Sequence, residues 1–486
     1  MSSASSHHIK FGTDGWRAII AKEFTFDNVS LVVQAIANYL DTRWADKSKP
    51  VVIGYDVRFL AEEFALHAAK ILNGNGWKVL MVEQYTPTPV VAFAAKEWDS
   101  AGALMFTASH NPPEYMGIKF IPEFAGPATP DITDQIVANV KTLCADANFS
   151  TPENVKEDIT RFNPFKKYVD FISQQVQFDK IKEANIKWLY DPMHGCGSGY
   201  VDTLLEEKTG AKPDMLHANI DPRFGGHLPE PKDEFLGALM EEMAKGQYQV
   251  GLANDGDADR FGLVDETGRY FGSDQVIPML GRYLYHKRGY RGNLVRTVAT
   301  SRLLDALAKK WNVTVHETPV GFKHTGAIMR QEPIIIGGEE SGGMSILNHI
   351  PEKDGVIAIS LILEMMAVEG KPISQIYKET QDEAELYLTN ISKNLYLADE
   401  DKAGLMAFMR GFKVGDTFAG REIKEINAMD GVKFIFDEYE WVLVRPSGTE
   451  PILRLYGESP DSSLPAKYDE AVQQAIQNLQ PAACSV

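Results

Sequence analysis

The amino-acid sequence predicts an α/β protein with three related doubly wound α/β domains and a C-terminal α+β domain. Apolar, strand-like segments alternate with helix-patterned segments in the same order three times. After about residue 380 the pattern changes to alternating strands and a closing helix. In each repeat the third strand enters a loop rich in glycine and polar residues. Because ligands of open α/β sheets bind beyond the carboxyl ends of the strands, we expect these domains to be arranged around a central cleft.

Hydrophobic periodicity places the individual elements. We predict strands at 51–54, 77–82 and 103–106 in the first repeat, at 186–190, 211–218 and 248–252 in the second, and at 294–298, 313–316 and 334–336 in the third. After the first strand the pattern predicts a helix whose apolar face carries Phe64, Ala65, Ala68, Ile71 and Leu72. The last part should hold strands at 430–441, 442–444 and 452–456 and a helix at 466–479 that buries Ala471, Val472, Ile476 and Leu479. These segments predict four domains, at 1–150, 151–265, 266–380 and 381–486.

The composition of the 486 residues is that of an ordinary globular protein, with a net charge of −18. This acidic excess disfavours nucleic acids and anionic membranes as partners, since both would be repelled. Cys144, Cys196 and Cys484 are far apart, which is typical of a reduced intracellular protein. No signal peptide is evident, and the longest strongly apolar stretch, 356–363, is too short to span a bilayer. We therefore expect a cytoplasmic location.

The loop of the first repeat reads T-A-S-H-N-P at 107–112. Ser109 would be presented at the end of a strand, with His110 beside it and Lys119 following in G-I-K-F. A hydroxyl group next to a histidine and near a lysine is suited to nucleophilic catalysis. The local sequence leaves open the alternative that Ser109 only caps the turn.

The loop of the second repeat carries Asp255, Asp257 and Asp259, which offer carboxylates at every second position for Mg²⁺ or Ca²⁺. Glu266 falls at the twelfth position, as in an EF-hand, but Arg260 stands where an EF-hand needs glycine. The flanking segments are typical of strands rather than helices, and D-E-T-G at 265–268 is typical of a hairpin turn. The pattern predicts a metal site of another kind, and Arg260 indicates an anion near the metal. A solvated acidic loop without metal is the alternative.

The loop of the third repeat, G-G-E-E-S-G-G at 337–343, places Glu339 and Ser341 in flexible backbone. Carboxylate and hydroxyl groups are suited to paired hydrogen bonds with sugar hydroxyls. Upstream, Lys323 and His324 in G-F-K-H are further candidates for ligand binding. A simple glycine-rich turn and two surface residues are the alternatives.

Two more segments hold groups suited to phosphate. R-P-S-G-T-E at 445–450 combines a guanidinium group, two hydroxyls and the amides of a glycine turn, although a plain turn is also possible. Arg17 ends F-G-T-D-G-W-R at 11–17 and could assist phosphate chemistry. G-C-G-S-G at 195–199 lacks the spacing of a dinucleotide fingerprint and no Walker A motif is present, so no nucleotide cofactor is predicted.

Together these motifs resemble those of the α-D-phosphohexomutase superfamily. F-G-T-D-G-W-R, T-A-S-H-N-P, D-G-D-A-D-R, G-E-E-S-G-G and R-P-S-G-T-E-P appear in the family's order across nearly the whole chain. The resemblance implies the family's architecture of three related α/β domains and a C-terminal α+β domain. These four domains would carry, in order, a phosphoserine loop, a metal-binding loop, a sugar-binding loop and a phosphate-binding loop.

The resemblance also implies roles for individual residues. Ser109 would be the phosphoserine and His110 its neighbour in proton transfer. The side chains expected to neutralise the transferring group are Arg17, Lys119 and Arg260. The Mg²⁺ ligands implied are Asp255, Asp257 and Asp259, with the phosphate on Ser109 completing the shell. The substrate-binding residues implied are Lys323, His324, Glu339, Ser341, Arg445, Ser447, Gly448 and Thr449.

The function implied is that of an intramolecular phosphotransferase acting on sugar phosphates. G-E-E-S at 338–341 and H-I-P-E-K-D-G at 349–355 resemble the glucose-phosphate members. We therefore expect interconversion of glucose 1-phosphate and glucose 6-phosphate through a phosphoserine, with Mg²⁺ as cofactor and glucose 1,6-bisphosphate as intermediate and activator. The alternatives are a glucose 1,6-bisphosphate synthase, a phosphomannomutase and, more distantly, a non-catalytic sugar-phosphate-binding regulator. The chain is expected to be a monomer or a homodimer.

Overall fold

The structure is a computed structural model that describes residues 9–12, 15–146, 148–152, 159–447 and 452–479. The chain forms two compact units. The first comprises Met1–Gly292 and Gly321–Tyr377, and the second comprises Asn293–Val320 and Lys378–Val486. None of the helices in the described part is both long enough and apolar enough to cross a membrane.

The first unit begins with a mixed seven-stranded sheet. Its elements are β1 (Phe11–Gly12), β2 (Gly15–Ile19), α1 (Phe26–Arg43), β3 (Val51–Tyr55), α2 (Ala61–Gly74), β4 (Val79–Val82), α3 (Thr88–Glu97), β5 (Gly102–Phe106), β6 (Tyr115–Pro122), α4 (Pro130–Ala145) and β7 (Ile159–Phe162). The strand order is β1-β2-β6-β5-β3-β4-β7. β3, β4, β5 and β7 run parallel, and β6, β2 and β1 extend the sheet in antiparallel pairings. The parallel strands β3 and β5 therefore end side by side, and both are buried along their length.

The helix predicted after the first strand is α2. All the residues predicted for its apolar face are buried, namely Phe64, Ala65, Ala68, Ile71 and Leu72. They belong to one large core cluster that also contains Trp16 and Phe24. The helical period of the apolar residues thus fixes which face of α2 packs onto the sheet.

The next part of the first unit carries a five-stranded sheet. Its elements are α5 (Phe165–Ser173), α6 (Phe178–Ala184), β8 (Trp188–Asp191), α7 (Val201–Thr209), β9 (Asp214–Met215), α8 (Gly237–Met243), β10 (Val250–Asn254), β11 (Phe261–Val264) and β12 (Tyr270–Phe271), with a short 3-10 turn at Phe224–Gly226. The strand order is β12-β11-β10-β8-β9. β10 and β11 pair antiparallel, and β11 turns at 265–268 into β12. The acidic loop is therefore flanked by strands, and the exclusion of an EF-hand is confirmed.

The chain then passes through both units. Its elements are α9 (Ser273–His286) in the first unit, β13 (Asn293–Thr297), α10 (Leu303–Trp311) and β14 (Val315–Thr318) in the second, and α11 (Phe322–Met329), β15 (Ile334–Gly338), β16 (Met344–Ile346) and α12 (Gly355–Glu369) again in the first, followed by α13 (Ile373–Ala384). The carboxylate of Asp354 caps α12 by accepting hydrogen bonds from the N–H groups of Val356 and Ile357. The apolar stretch at 356–363 is a fully buried part of this helix.

The second unit is completed by an antiparallel sheet and two helices. Its elements are β17 (Thr389–Leu395), α14 (Asp399–Arg410), β18 (Thr417–Phe418), β19 (Arg421–Glu422), β20 (Glu425–Asn427), β21 (Val432–Asp437), β22 (Glu440–Pro446), β23 (Leu453–Ser459) and α15 (Leu464–Leu479). The order β17-β23-β22-β21-β20 describes the main sheet, in which every pairing is antiparallel. α14 and α15 contribute to one apolar core with this sheet.

Three sequence predictions need correction. The strand predicted at 430–441 is wrong, because the chain turns at 438–439 and forms the separate strands β21 and β22. Of the strand predicted at 211–218, only the two residues of β9 (Asp214–Met215) form a strand. Two of the residues predicted to be buried on the closing helix, Ala471 and Leu479, are only half-buried, whereas Val472 and Ile476 are buried as predicted.

Candidate active site

Ser109 lies in the loop between β5 and β6 and is buried. Its φ of 52° is in the left-handed region, where a residue other than glycine is strained by about 1–3 kcal/mol. The backbone N–H of Ser109 donates to the hydroxyl of Thr107 at 2.8 Å. Its hydroxyl donates to Oδ2 of Asp255 at 2.9 Å. The strained loop thus points the serine hydroxyl at the acidic loop of the second repeat.

The acidic loop follows β10 and leads into β11. Asp255, Asp257 and Asp259 are all fully buried. The first turn of α3 contacts this loop, because Thr88 donates from its N–H to the carbonyl of Asp257 at 3.0 Å and from its hydroxyl to Oδ2 of Asp257 at 2.6 Å. The start of α12 contacts it as well, since the N–H of Gly355 donates to the carbonyl of Ala258. Neighbouring elements therefore fix the backbone that carries the three carboxylates.

Lys119 on β6 reaches the same carboxylates. Its ammonium group donates to Oδ2 of Asp257 at 2.9 Å and to Oδ2 of Asp259 at 2.8 Å. Burial opposes ionisation of Asp257, but Lys119 and Thr88 together hold the pKa of this carboxyl below its usual value. Burial and the two neighbouring negative charges raise the pKa of Asp255 well above its usual value. A second cation would therefore relieve the repulsion that remains within the cluster.

The spacing and hydrogen bonding of the carboxylate oxygens show whether the three aspartates could hold a metal ion. Each offers a ligand atom, and these atoms lie within 4.8 Å of one another. Within the part of the chain that the structure describes, Oδ1 of Asp257 and Oδ1 of Asp259 are buried and have no hydrogen-bond partner. Buried carboxylate oxygens without a donor are costly, whereas hard divalent cations take such ligands. The residues present therefore fit a divalent metal ion.

Arg17 and Arg260 lie close to these loops. Arg17, on β2, donates from Nη1 to Oδ1 of Asn111 at 2.6 Å and is thereby tied to the serine loop. Nε of Arg260 lies 4.0 Å from Asp255 and 3.9 Å from Asp259. The predicted cationic residues Arg17, Lys119 and Arg260 are thus brought to the serine and aspartate loops.

The loop of the third repeat is joined to the acidic loop by the backbone. The N–H of Phe261 donates to the carbonyl of Gly342 at 3.1 Å, and Arg260 pairs with Gly343 in an isolated antiparallel bridge. The loops that carry Ser109, Asp255 and Glu339 therefore meet in the first unit, as expected from their positions after the third strands.

Glu339 is buried within this loop, and Ser341 is half-buried beside it. Oε1 of Glu339 accepts a hydrogen bond from the N–H of Gly321 at 2.7 Å. Burial and the charge of Glu340 raise the pKa of Glu339 to about 7, against the opposing effect of Lys353. Glu339 is therefore a carboxyl group that changes its charge near neutral pH.

His110, Lys323 and His324 have different settings. His110 is buried directly after Ser109. Lys323 and His324 lie in the first turn of α11 and are half-buried. Because α11 begins one residue after Gly321, whose N–H bonds to Glu339, this turn adjoins the loop of the third repeat.

The predicted phosphate cradle lies in the second unit. Arg445, at the end of β22, is buried, and its Nε and Nη2 both lie 3.1 Å from Oδ2 of Asp430. The N–H of Ser447 donates to the carbonyl of Ile452 at 2.9 Å. Gly448 and Thr449 lie outside the described residues.

Several further residues that lie at these loops were not predicted from the sequence. Thr88 belongs to T-P-T-P at 86–89, a turn with two hydroxyls that was the available signal. Nζ of Lys353 lies 3.3 Å from Oδ2 of Asp259, and Lys353 belongs to the motif H-I-P-E-K-D-G.

Two more residues lie beside these loops. Oε1 of Glu230 lies 3.5 Å from Nη1 of Arg260. Arg58 donates to carbonyls of the serine loop, and its only signal was its position directly after a buried strand.

A buried serine bonded to a carboxylate cluster that fits a divalent cation, with basic side chains beside it, is suited to phosphoryl transfer. The chain matches the domains described as phosphoglucomutase/phosphomannomutase alpha/beta/alpha domain I at residues 8–145, domain II at 166–268 and domain III at 272–383, and the C-terminal domain at 394–475. The chain therefore belongs to the phosphoglucomutase/phosphomannomutase family, within the α-D-phosphohexomutase superfamily. The expected fold class, three α/β/α domains and a C-terminal domain, is confirmed.

Individual relatives agree with this assignment. The chain is 31% identical over 465 residues to a phosphoglucomutase/phosphomannomutase of Thermococcus kodakarensis, covering 95% of this chain and 96% of the relative. It is 30% identical to a phosphoglucosamine/phosphogalactosamine mutase of Sulfurisphaera tokodaii, covering 93% and 96%. The crystal structure of a protein assigned as a phosphomannomutase from Thermus thermophilus matches with a TM-score of 0.85 at 31% identity, covering 97% of this chain and 100% of that one. The chain is thus a mutase, an intramolecular phosphotransferase.

Proposed function

We propose that the chain interconverts glucose 1-phosphate and glucose 6-phosphate through phosphorylated Ser109 and a glucose 1,6-bisphosphate intermediate. The observation that carries this proposal is the hydrogen bond of 2.9 Å from the hydroxyl of Ser109 to Asp255 in a buried carboxylate cluster. A serine that only caps its turn needs no such partner. By the same contact, a phosphate on Ser109 would lie next to the candidate metal ligands.

The first half-reaction transfers the phosphoryl group of Ser109 to the sugar. The bond between phosphorus and Oγ of Ser109 breaks, a bond from phosphorus to O6 of glucose 1-phosphate forms, and the proton of the sugar hydroxyl passes to His110. In the second half-reaction, after the bisphosphate has reoriented, Oγ of Ser109 forms a bond to the phosphorus of the 1-phosphate, the bond from that phosphorus to O1 breaks, and His110 gives its proton to O1. Glucose 6-phosphate is released and the phosphoserine is restored.

The chain's own cations stabilise the charge on the moving group. Lys119 reaches the carboxylate cluster directly, Arg17 is held at the serine loop through Asn111, and Arg260 lies beside Asp255 and Asp259. Mg²⁺, held by the three aspartates and a phosphate oxygen on Ser109, would supply further neutralisation when bound. Phosphoryl transfer depends on such positioning and charge neutralisation more than on covalent assistance.

The sugar and its second phosphate need separate sites. Glu339 and Ser341 offer acceptors for sugar hydroxyls, and we assign Lys323 and His324 to the adjoining part of the sugar site. Arg445, Ser447, Gly448 and Thr449 would hold the phosphate that does not react. The domain limits at 150, 265 and 380, the cytoplasmic location and the monomeric or homodimeric state stay predictions.

A hexosamine phosphate is the second candidate substrate. The Sulfurisphaera tokodaii relative, a phosphoglucosamine/phosphogalactosamine mutase, matches nearly the whole chain. An ammonium group at C2 would suit the two carboxylates of Glu339 and Glu340. A mannose phosphate and a glucose 1,6-bisphosphate synthase activity remain alternatives with the same serine chemistry.

A substrate panel tests the proposal. Glucose, mannose and glucosamine 1-phosphates are supplied with Mg²⁺, with and without the matching 1,6-bisphosphate, and both the 6-phosphate and released bisphosphate are measured. We expect the highest kcat/KM with glucose 1-phosphate. We also expect stoichiometric phosphorylation of Ser109. Ser109→Ala is the control, and its unchanged turnover would overturn the proposed role of Ser109. A preference for glucosamine or net release of bisphosphate would replace the substrate assignment while leaving the serine chemistry intact.

A further inference from the structure

Arg58 lies in the loop after β3, and its side chain is fully buried. β3 and β5 are adjacent parallel strands, with Tyr55 paired to Phe106 at their ends. The residues that follow β3 therefore lie beside the residues that follow β5. This topology brings Arg58 to the serine loop although the two are far apart in the sequence.

The guanidinium group of Arg58 donates four hydrogen bonds to backbone carbonyls of the serine loop and the start of β6. Nη2 donates to the carbonyl of Ser109 at 2.7 Å and to that of Asn111 at 2.6 Å. Nη1 donates to the carbonyl of Pro112 at 2.7 Å and to that of Tyr115 at 3.0 Å. Both terminal nitrogens of Arg58 therefore hold the backbone of the same segment.

Two other groups hold Arg58 itself in place. Its Nε lies 3.2 Å from Oδ2 of Asp56, which is also fully buried. The guanidinium carbon lies 4.8 Å from the centre of the Phe224 ring. The Asp56 carboxylate balances the charge of Arg58, so its effect on the loop comes mainly from the geometry of its donors rather than from net charge.

The carbonyl of Ser109 is confined on a second side by the acidic loop. A Cβ atom placed on Gly256 would lie 2.8 Å from this carbonyl oxygen. Only a glycine at this position lets the acidic loop approach the serine loop so closely. Arg58 and Gly256 together fix a residue whose backbone is in the left-handed region.

We propose that Arg58 is a positioning residue that, through its four carbonyl hydrogen bonds, holds Ser109 in the orientation required for phosphoryl transfer. The inference rests on the proposed role of Ser109 as the phosphate carrier. All four of these bonds go to backbone carbonyls, and none goes to the hydroxyl of Ser109 or to the three carboxylates of the acidic loop. Its removal should therefore affect the transfer step more than the binding of the sugar phosphate or the metal.

Arg58→Lys tests this inference, because lysine keeps the charge but has no planar fork of donors. We expect kcat per folded molecule to fall about 100-fold, since small misplacements of reacting groups have effects of this size. KM for glucose 1-phosphate and the Mg²⁺ affinity of the unphosphorylated protein should change by less than about threefold. Arg161→Lys is the matched control, because Arg161 on β7 of the same sheet donates to one carbonyl, that of Val82, and pairs with Glu62 on the surface.

Arg58→Ala with added guanidinium ion provides a second measurement. Recovery of kcat with guanidinium, and no recovery with ammonium at the same concentration, supports the role of the fork. Unchanged kcat in Arg58→Lys, or parallel losses of kcat, metal affinity and melting temperature, would overturn the inference, as would failure of both variants to fold. If instead Ser109→Ala retains turnover, the proposed function fails before Arg58 is tested.

Discussion

The ammonium group of Lys119 donates a hydrogen bond to Oδ2 of Asp257 at 2.9 Å, inside a cluster of carboxylates that fits a divalent cation. The same group bonds to Asp259 at 2.8 Å. Lys119 therefore offsets part of the charge that a metal ion would also offset. The stability of the protein without metal should depend on this lysine.

Lys119→Met should lower the free energy of unfolding of the metal-free protein by about 3–5 kcal/mol, because it leaves buried carboxylates without a partner. Saturating Mg²⁺ should restore part of this loss, since the ion binds the same carboxylates only in the folded state. Melting temperatures with EDTA and with MgCl₂ measure the difference. We expect the increase caused by Mg²⁺ to be larger in the variant than in the wild type.

Lys70→Met is the control for this prediction, because Lys70 is exposed on α2. Its melting temperatures should match those of the wild type with and without Mg²⁺. An equal effect of Mg²⁺ on the wild type and on Lys119→Met would show that the ion does not use these carboxylates.

Asp430 should control the affinity of Arg445 for phosphate. Oδ2 of Asp430 lies 3.1 Å from two nitrogens of Arg445 and also accepts a hydrogen bond from the N–H of Val320 at 3.0 Å. Asp430→Asn keeps an acceptor but removes the opposing charge, so KM for the sugar phosphate should fall about twofold to fivefold. Asp430→Ala removes the acceptor that orients Arg445, so KM should rise.

Steady-state kinetics at fixed bisphosphate concentration measure both KM values. The prediction depends on their order, with Asp430→Asn below the wild type and Asp430→Ala above it. If both variants raise KM equally, Asp430 acts only by maintaining the fold near Arg445.

The sequence predicted the loops of the site because each follows the third strand of a repeat. Ligands of open α/β sheets bind beyond the carboxyl ends of the strands. This rule predicted that the loops with Ser109 and Asp255 serve one site, although they follow strands of different sheets. The acidic loop was equally predictable, since the turn at 265–268 and the missing glycine at Arg260 excluded an EF-hand. Local pattern and sheet topology together therefore predicted the centre of the site.

The remaining features depend on contacts that local patterns do not encode. Arg58 and Lys353 look like ordinary charged residues in the sequence, and only tertiary packing buries them beside the serine loop and Asp259. The strand predicted at 430–441 failed because alternation continued across the turn at 438–439, which contains neither glycine nor proline. The sequence therefore has no residue at 438–439 that is typical of a turn.

Glu339 should make sugar binding depend on pH near neutrality. Burial raises the pKa of Glu339 to about 7, and the ionised carboxylate is the better acceptor for sugar hydroxyls. The affinity for glucose 1-phosphate should therefore fall as the pH falls through about 7, and Glu339→Gln should lose this dependence. The ratio of KM values for the two proteins, measured at each pH, cancels the titration of the sugar phosphate itself.

The raised pKa of Glu339 should also make the free energy of unfolding depend on pH. Because the pKa of Glu339 is raised in the folded protein, the folded state binds more protons than the unfolded chain between about pH 4.5 and about pH 7. The wild type should therefore lose stability relative to Glu339→Gln as the pH rises through this window. Urea unfolding at several pH values tests this, and parallel curves for the two proteins would contradict the shift.

Lys433 on β21 should make the stability of the protein depend on pH above neutrality. Its buried ammonium group donates to the carbonyl of Val298 at 2.6 Å and lies 4.0 Å from the centre of the Trp441 ring. Burial and the charge of Arg296 lower the pKa of Lys433 to about 7, although Glu317 opposes the shift. Between about pH 7 and the ordinary value of 10.5, the unfolded chain holds a proton that the folded protein releases.

Stability should therefore rise with pH in this window, by up to about 1.4 kcal/mol for each pH unit from Lys433 alone. Lys433→Met removes this contribution, so the difference in free energy of unfolding between the wild type and the variant should grow with pH. Urea unfolding from about pH 7 to about pH 9.5 measures the difference, in which titrations common to both proteins cancel. Lys424→Met, at an exposed position of the same unit, should stay parallel to the wild type. A parallel curve for Lys433→Met would instead mean that the negative charges of Glu317 and Glu458 outweigh burial and the charges of Arg296 and Arg302, and keep the ammonium group of Lys433 protonated in the folded protein.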